Sequence, residues 1–281
     1  MRKWTKRVTS DIARYAAREF ADELRAIGSN KRAEPVPTNQ PPSTVKIDIP
    51  DLLKQLGSTE ARVQFHHLFA WNHRWIALLT ERNRRTASDT YDFIEKEMPD
   101  ARFDINQYNI LREYREEIDK LDGQILDLGV YQGVSTRALA RIFPQNTIHG
   151  FDSFEGLPES WGHQGRGAFG EVDGMLPAMP DNVELHKGWF DDTLPVWLQN
   201  HGDTIISLLR VDCDLYSSTK TCLDVLKPLI RSGTWIVFDE LIGYRGWEDH
   251  EYKAFMEFIE DTGFEFEYVA YGLTYTIVHL N

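Results

Sequence analysis

The sequence is short of cysteine, of basic residues and of long apolar runs, and each shortage excludes something. Only Cys213 and Cys222 occur in 281 residues. Two cysteines make no disulfide framework, and a reduced, cytoplasmic setting is expected. No stretch approaches the ~18 apolar residues of a membrane-spanning helix. The opening MRKWTKR lacks an apolar core and a cleavage pattern, and Asp11, Glu19, Asp22 and Glu23 follow it. Neither a signal peptide nor a transit peptide is expected. Lys and Arg number 31 against 44 Asp and Glu, a formal net charge of −13. Nucleic-acid binding rests on basic side chains neutralising phosphates, and anionic membranes attract the same residues. Neither partner is expected.

What is present can bury a sizeable core: 42% of residues are hydrophobic and 12% aromatic. The length fits one large domain, with or without a helical extension. The chain is organised around residues 123–152, GQILDLGVYQGVSTRALARIFPQNTIHGFD. Ile125, Leu126 and Leu128 read as a strand. A turn spaced by Gly129 and Gly133 follows, then a helix with Val134, Ala138 and Ile142 four apart, then a strand ending at Asp152. That is the opening unit of an open parallel α/β sheet. Glycines let the backbone pass close to a ligand. Asp152, about 20 residues past the turn, stands where nucleotide-binding folds hold a ribose. The spacing Asp127-x-Gly129-x-x-x-Gly133 fits neither the dinucleotide nor the triphosphate loop, which disfavours a dehydrogenase.

Upstream, residues 11–27 carry Ile12, Tyr15, Phe20 and Leu24 at amphipathic spacing, and residues 28–45 form a proline-rich linker. The first helix packs either on its own domain or on a second subunit; a homo-oligomer through the N-terminal helices is the expectation. Helices are expected at about 58–85, 88–98 (capped by Ser88 or Asp89) and 105–118. His66 and His67 are adjacent, so they diverge and make a poor metal pair. The expected division is 1–45 (helix and linker), 46–104 (helical cap) and 105–281 (main domain).

Downstream, residues 153–182 mix glycines, prolines and aromatics with little periodicity, as a lid or substrate wall would, or a surface insertion. Strands are expected at 183–187, 205–211 and 234–238. A helix capped by Thr193 with Pro195 in its first turn lies between the first two, and another starts at Ser217 or Ser218. A helix bearing Tyr252, Phe255, Met256 and Ile259 precedes two final strands, 264–271 and 274–280, close enough to pair as a hairpin. Two strand tips are acidic, Asp212-Cys213-Asp214 and Asp239-Glu240. In a parallel sheet such tips share one edge with the glycine turn. Carboxylates that converge repel unless a cation or proton sits among them, and hard oxygen donors suit Mg²⁺ or Ca²⁺. The alternative is a solvated acidic surface.

DLGVYQGVS resembles the first motif of class I S-adenosylmethionine-dependent methyltransferases. GVYQGVST, GFDSFEGLPESW, GWFDDTLP, RVDCDLYSSTK and GTWIVFDE, in that order, are similar to the macrocin and mycinamicin sugar O-methyltransferases and more distantly to catechol O-methyltransferase. The resemblance covers about residues 105–280. It implies a Rossmann-like, mostly parallel seven-stranded sheet closed by a C-terminal antiparallel hairpin, with an N-terminal helical extension. It also implies S-adenosylmethionine as cofactor and natural-product biosynthesis as the setting. Gly129, Tyr131, Gly133 and Ser135 would line the methionine part of the cofactor and Asp152 its ribose. Ser153, Phe190 and Asp191 would lie near the adenine, and Asp212 would serve both cofactor and metal. Asp212, Asp239 and Glu240 would be the Mg²⁺ ligands, with Glu240 departing from the family's usual Asp. Asp214 would be the general base. His250 is either a further base or substrate contact, or a solvated residue at a helix start. Tyr244, Arg245 and Trp247 line an acceptor pocket or pack their loop. The implied reaction is methyl transfer to a hydroxyl of a small, possibly glycosidic, acceptor. The competing readings are a metal-independent N- or carboxyl-methyltransferase and a non-catalytic cofactor-binding or assembly protein.

Overall fold

The computed structural model describes residues 59–162, 164–170 and 175–281, with side chains from residue 77 onward. The amphipathic helix expected at 11–27, the linker at 28–45, the N-terminal subunit contact and the side chains of His66 and His67 lie outside the described residues. The chain divides into a unit of residues 1–66 and a unit of residues 67–281. The second unit holds the sheet, and one long helix leads into it from the first.

That helix, α1 (Thr59–Glu97), is continuous over 39 residues. It replaces the two expected helices, the second of which has Ser88 or Asp89 as its expected cap. No glycine or proline stands between Arg85 and Ser88, so nothing stops the first turn of one from continuing into the other. Leu78 on this helix is exposed. The single helix expected at 105–118 is instead α2 (Gln107–Glu113) and α3 (Arg115–Lys120). Asn106 caps α2 by accepting the Tyr108 N–H, and the break falls at Tyr114, which leaves helical geometry at φ −92°, ψ 9°.

The strands are β1 (Arg102–Phe103), β2 (Gln124–Leu128), β3 (Ile148–Asp152), β4 (Val183–Lys187), β5 (Ile206–Val211), β6 (Trp235–Phe238), β7 (Phe266–Tyr271) and β8 (Thr276–Leu280). They form one sheet in the order β1-β7-β8-β6-β5-β2-β3-β4. Every neighbouring pair is parallel except β6–β8 and β7–β8. The seven strands from β2 onward reproduce the expected sheet and its closing hairpin. The eighth, β1, pairs two residues with β7 and is too short to show any period in sequence.

Alternate residues feed two cores. Leu126, Leu128, Leu209 and Val211 pack with α5 (Phe190–His201), α6 (Tyr216–Leu226) and α7 (Glu251–Thr262). Their neighbours Ile125 and Leu208 pack on the other side with Ile110 and Ile118 of α2 and α3 and with α4 (Val134–Ile142). The continuous apolar runs of β2, β5 and β6 reflect this, since these central strands are covered on both faces. In α4 the buried face is Ser135, Thr136, Leu139, Ala140 and Ile142, while Val134 is exposed. The face is set by Asp127 beneath it rather than by the apolar spacing. α5 starts at Phe190, ahead of its expected cap, and Thr193 lies inside it, donating Oγ1 to the Trp189 carbonyl at 2.9 Å.

Candidate functional site

The turn from β2 to α4 starts at the carboxyl edge of the sheet. Gly129 has φ +98°, and a Cβ there would stand 1.9 Å from the Asp212 carbonyl oxygen at the tip of β5. Gly133 has φ +74°, and its Cβ would meet Met179 Cε at 2.0 Å. Both glycines therefore make room first for the chain itself: one lets two strand tips touch, the other lets the long loop lie over the start of α4.

Asp152 holds this turn. Its Oδ2 accepts the N–H groups of Val130 at 2.9 Å and Tyr131 at 2.7 Å, and its Oδ1 accepts that of Phe154 at 2.7 Å. A carboxylate has about four acceptor positions, so one stays available for a ligand. Asp127, fully buried, accepts from Thr136 Oγ1 at 2.6 Å and Ser135 Oγ at 3.1 Å. Ser135 thus faces Asp127 and stands off the cavity.

That cavity, of about 240 Å³, is lined by Gly129, Tyr131, Asp152, Ser153, Phe190, Asp212, Asp214 and Glu240 among the residues singled out in sequence. Gly133, Ser135, Asp191, Asp239 and His250 are not in its wall. His250 sits at the start of α7 with its ring 6.1 Å from that of Tyr244, and burial lowers its pKa. The long loop supplies Gly156, Leu157, Pro158, Trp161 and Phe169, and the exit from β4 supplies Trp189. The loop's composition marks it as a wall, but nothing in it marks which aromatics turn inward. Tyr131, Phe169 and Asp214 all take positive φ, 47°, 66° and 61°. Such backbone costs on the order of 1–3 kcal/mol per residue and gathers at functional sites.

Arg210, at the end of β5 and 3% exposed, is the cation among these acids. It donates Nη1 to Asp127 Oδ1 at 3.1 Å and to Asp212 Oδ2 at 2.9 Å, and Nη2 to Asp239 Oδ1 at 2.5 Å. Gln107 Nε2 also donates to Asp239 Oδ1, at 2.7 Å. Asp239 is thereby turned toward Arg210, and the oxygens that gather are those of Asp212, Asp214 and Glu240, within 4.8 Å of one another. Glu240 Oε2 is buried without a hydrogen-bond partner. Burial first, then neighbouring charges, holds Asp212 up at about 6 even beside Arg210. Burial and the charges of Asp212 and Asp239 push Asp214 up to about 7. Glu240 is raised further by burial and by Asp212. One guanidinium does not neutralise this group, and hard oxygens so placed fit a divalent cation of the Mg²⁺ kind.

Arg210, Gln107 and Glu251 contact the acids or their strand tips and are missed by sequence reasoning. Glu251, wholly buried, accepts the N–H of Cys213 at 3.3 Å and that of Glu240 at 3.2 Å, so it ties the β5 and β6 tips together. A glutamate in the first turn of a helix gives no signal of that. Arg210 does give one: a basic residue within the apolar run of a central strand needs buried acids to pair with.

Residues 126–241 match the methyltransferase domain family. A curated protein of Streptomyces olivaceus, 8-demethyl-8-(2,3-dimethoxy-alpha-L-rhamnosyl)-tetracenomycin-C 4'-O-methyltransferase, is 28% identical over 145 residues, which cover 43% of this chain and 54% of that one. The match thus spans about half the length of this curated relative. Among solved structures, CalS11, a calicheamicin methyltransferase, is 20% identical, with a TM-score of 0.50 over 88% of this chain and 99% of the other; this likeness concerns the fold. No helix among the described residues is long and apolar enough to cross a membrane. Residues 126–241, which match a methyltransferase domain, hold the glycine turn, Asp152 and the acids at the tips of β5 and β6.

Proposed function

We propose that the chain transfers a methyl group from S-adenosylmethionine to a hydroxyl of a sugar or similar small polyol in natural-product biosynthesis, assisted by Mg²⁺. The observation that carries this reading is the meeting of Asp212, Asp214 and Glu240 in the same cavity as Gly129, Tyr131, Asp152 and Phe190. The first three suit a cation that activates a hydroxyl. The other four suit a nucleoside-bearing cofactor. The rhamnosyl 4'-O-methyltransferase of Streptomyces olivaceus supports a glycosidic acceptor.

The turn at Gly129 and Tyr131 would hold the methionine part of the cofactor, the remaining acceptor position of Asp152 a ribose hydroxyl, and Phe190 the adenine. The cofactor supplies an already activated methyl group, so the protein's task is alignment and proton removal. Asp212 and Glu240 would hold a cation, which would supply a lowered pKa to an acceptor hydroxyl bound in the cavity. Asp214 accepts the proton that leaves the hydroxyl oxygen as the O–CH₃ bond forms and the S–CH₃ bond breaks, which leaves S-adenosylhomocysteine. Trp161 gives the acceptor an aromatic wall. Asp239 acts from behind, keeping Arg210 in place.

Calorimetric titration with S-adenosylhomocysteine, with Mg²⁺ and with excess chelator, tests the cofactor and the ion. Turnover is then assayed on glycosides carrying vicinal hydroxyls. Cofactor binding together with chelator-sensitive transfer is the expected result. Absence of cofactor binding sinks the reading. A second reading, metal-independent transfer, has one observation behind it: Arg210 already brings a positive charge to Asp212 and Asp239. Transfer that ignores the chelator would favour it.

A further inference from the structure

The edge strand β4 and its neighbour β3 carry a second set of ligand-type side chains, away from the acidic strand tips. Glu184 and His186 are two apart on β4, so they leave the same face of the strand. His149 on β3 stands in register across from Glu184. One ligand atom from each of the three lies within 4.8 Å of the others. His149 Nδ1 is 3.2 Å from His186 Nε2 and 3.6 Å from a Glu184 carboxylate oxygen. Two donors each about 2.0–2.1 Å from one ion at a near-tetrahedral angle stand ~3.3 Å apart, which these separations meet.

The surroundings prepare the rings for this. His149 Nε2 is 3.1 Å from Gln124 Oε1. A carbonyl oxygen only accepts, so Nε2 carries the proton and the Nδ1 lone pair points at His186 and Glu184. Metal-bound histidines have this outer hydrogen bond to a carbonyl or carboxylate. Phe151 stacks on His186 with ring centres 4.4 Å apart, and Trp197 meets His149 edge-on at 5.3 Å, which holds both imidazoles in place. Burial, with His186 and His201 nearby, lowers His149 to about 4, and burial lowers His186 as well. Both rings are neutral at pH 7, the form that ligates. Glu184 is 62% exposed, so water can complete the coordination.

We propose that His149, Glu184 and His186 form a second divalent-metal site, of the Zn²⁺ type, which clamps edge strand β4 to β3. Two imidazole nitrogens and one carboxylate oxygen select a borderline transition ion over Mg²⁺, which prefers oxygen donors. In the metal-free protein His186 donates Nε2–H to His149 Nδ1; on binding, that proton moves to His186 Nδ1 and both facing lone pairs ligate. The clamp has a consequence for the cavity. β4 runs through Lys187 directly into Gly188, Trp189 and Phe190, which form one cavity wall.

The test uses the full chain, stripped of metal and kept in excess Mg²⁺, titrated with Zn²⁺ against a chromophoric chelator. One equivalent of Zn²⁺ should bind and resist Mg²⁺. Glu184→Gln, on an exposed side chain, should weaken it by at least ~10-fold, and His186→Gln by more, since loss of mere outer partners already costs about 10–100-fold. Asp214→Asn, in the carboxylate cluster, should leave that equivalent unchanged. Zn²⁺ should raise the thermal midpoint of the wild type and leave that of His186→Gln unmoved. Equal affinity in wild type and His186→Gln overturns the site, as does an equivalent that disappears with Asp214→Asn, or no binding at all.

Discussion

Arg210 and Asp212, two residues apart at the tip of β5, share a 2.9 Å hydrogen bond in which Nη1 donates to Oδ2. The same guanidinium serves Asp127 and Asp239, so one cation spans three neighbouring strands beneath the cavity. Arg210→Met should cost about 3–5 kcal/mol, the effect of leaving buried acids without their partner. Urea unfolding monitored by tryptophan fluorescence measures it. A loss under ~1 kcal/mol would mean that the acids find protons or water instead.

The raised carboxyls give the metal-free protein a pH dependence with a definite sign. Asp212 titrates at about 6 and Asp214 at about 7 in the folded chain, both above the ordinary aspartate range. Between roughly pH 4 and 7 the folded state therefore holds more protons than the unfolded one, so stability falls as pH rises through that window. With chelator present, the thermal midpoint should be higher at pH 5 than at pH 7. Mg²⁺ should recover the loss at pH 7 and do little at pH 5. A midpoint indifferent to Mg²⁺ at both values would argue against cation binding here.

Two substitutions of the same chemistry separate the roles of neighbouring acids. Asp214→Asn should lower turnover by about 10²–10⁴, the usual worth of a general base, while S-adenosylhomocysteine binds as before. Asp239→Asn should act through Arg210, lowering stability more than Mg²⁺ affinity. Single-turnover rates and Mg²⁺ titrations on both variants distinguish the two outcomes. If Asp239→Asn abolishes Mg²⁺ binding while Asp214→Asn leaves turnover intact, the assignments are reversed.

Glu251→Gln tests the tie between strand tips. The amide NH₂ would face one of the two backbone N–H groups that Glu251 now accepts, at a cost of about 1–3 kcal/mol for the unsatisfied donor. Mg²⁺ affinity should fall with stability, because the Glu240 backbone loses its anchor. Unchanged affinity would make Glu251 a purely structural residue.

Gly129→Ala probes the closest approach in the site. Positive φ alone costs an alanine on the order of 1–3 kcal/mol, and the added Cβ would stand 1.9 Å from the Asp212 carbonyl oxygen. The variant should lose cofactor binding along with at least ~2 kcal/mol of stability. Wild-type affinity in that variant would mean the turn has room the contact with Asp212 denies.

The sheet is legible in sequence because its central strands are buried on both faces and end at marked places. Apolar runs such as residues 205–211 stop at acids, and turns or helices start where the runs stop. Helix limits are less legible. Nothing local separates one long helix at Thr59–Glu97 from two shorter ones, and the break at Tyr114 comes from packing rather than from a breaker residue. β1 is two residues long and has no pattern to read.

By itself the sequence determined the order of strands and helices, the glycine turn and the placing of acids at strand tips, since each depends on local periodicity and on residues that end a run. Only the tertiary structure decided how those acids divide. Arg210 and Gln107 draw the Asp239 carboxylate away, and Asp214, on a strained backbone, turns its own toward Asp212 and Glu240. Pairing across strands that are distant in sequence sets those contacts, and no single stretch of the chain encodes them. The same holds for His149, Glu184 and His186, which parallel register brings together from strands more than thirty residues apart.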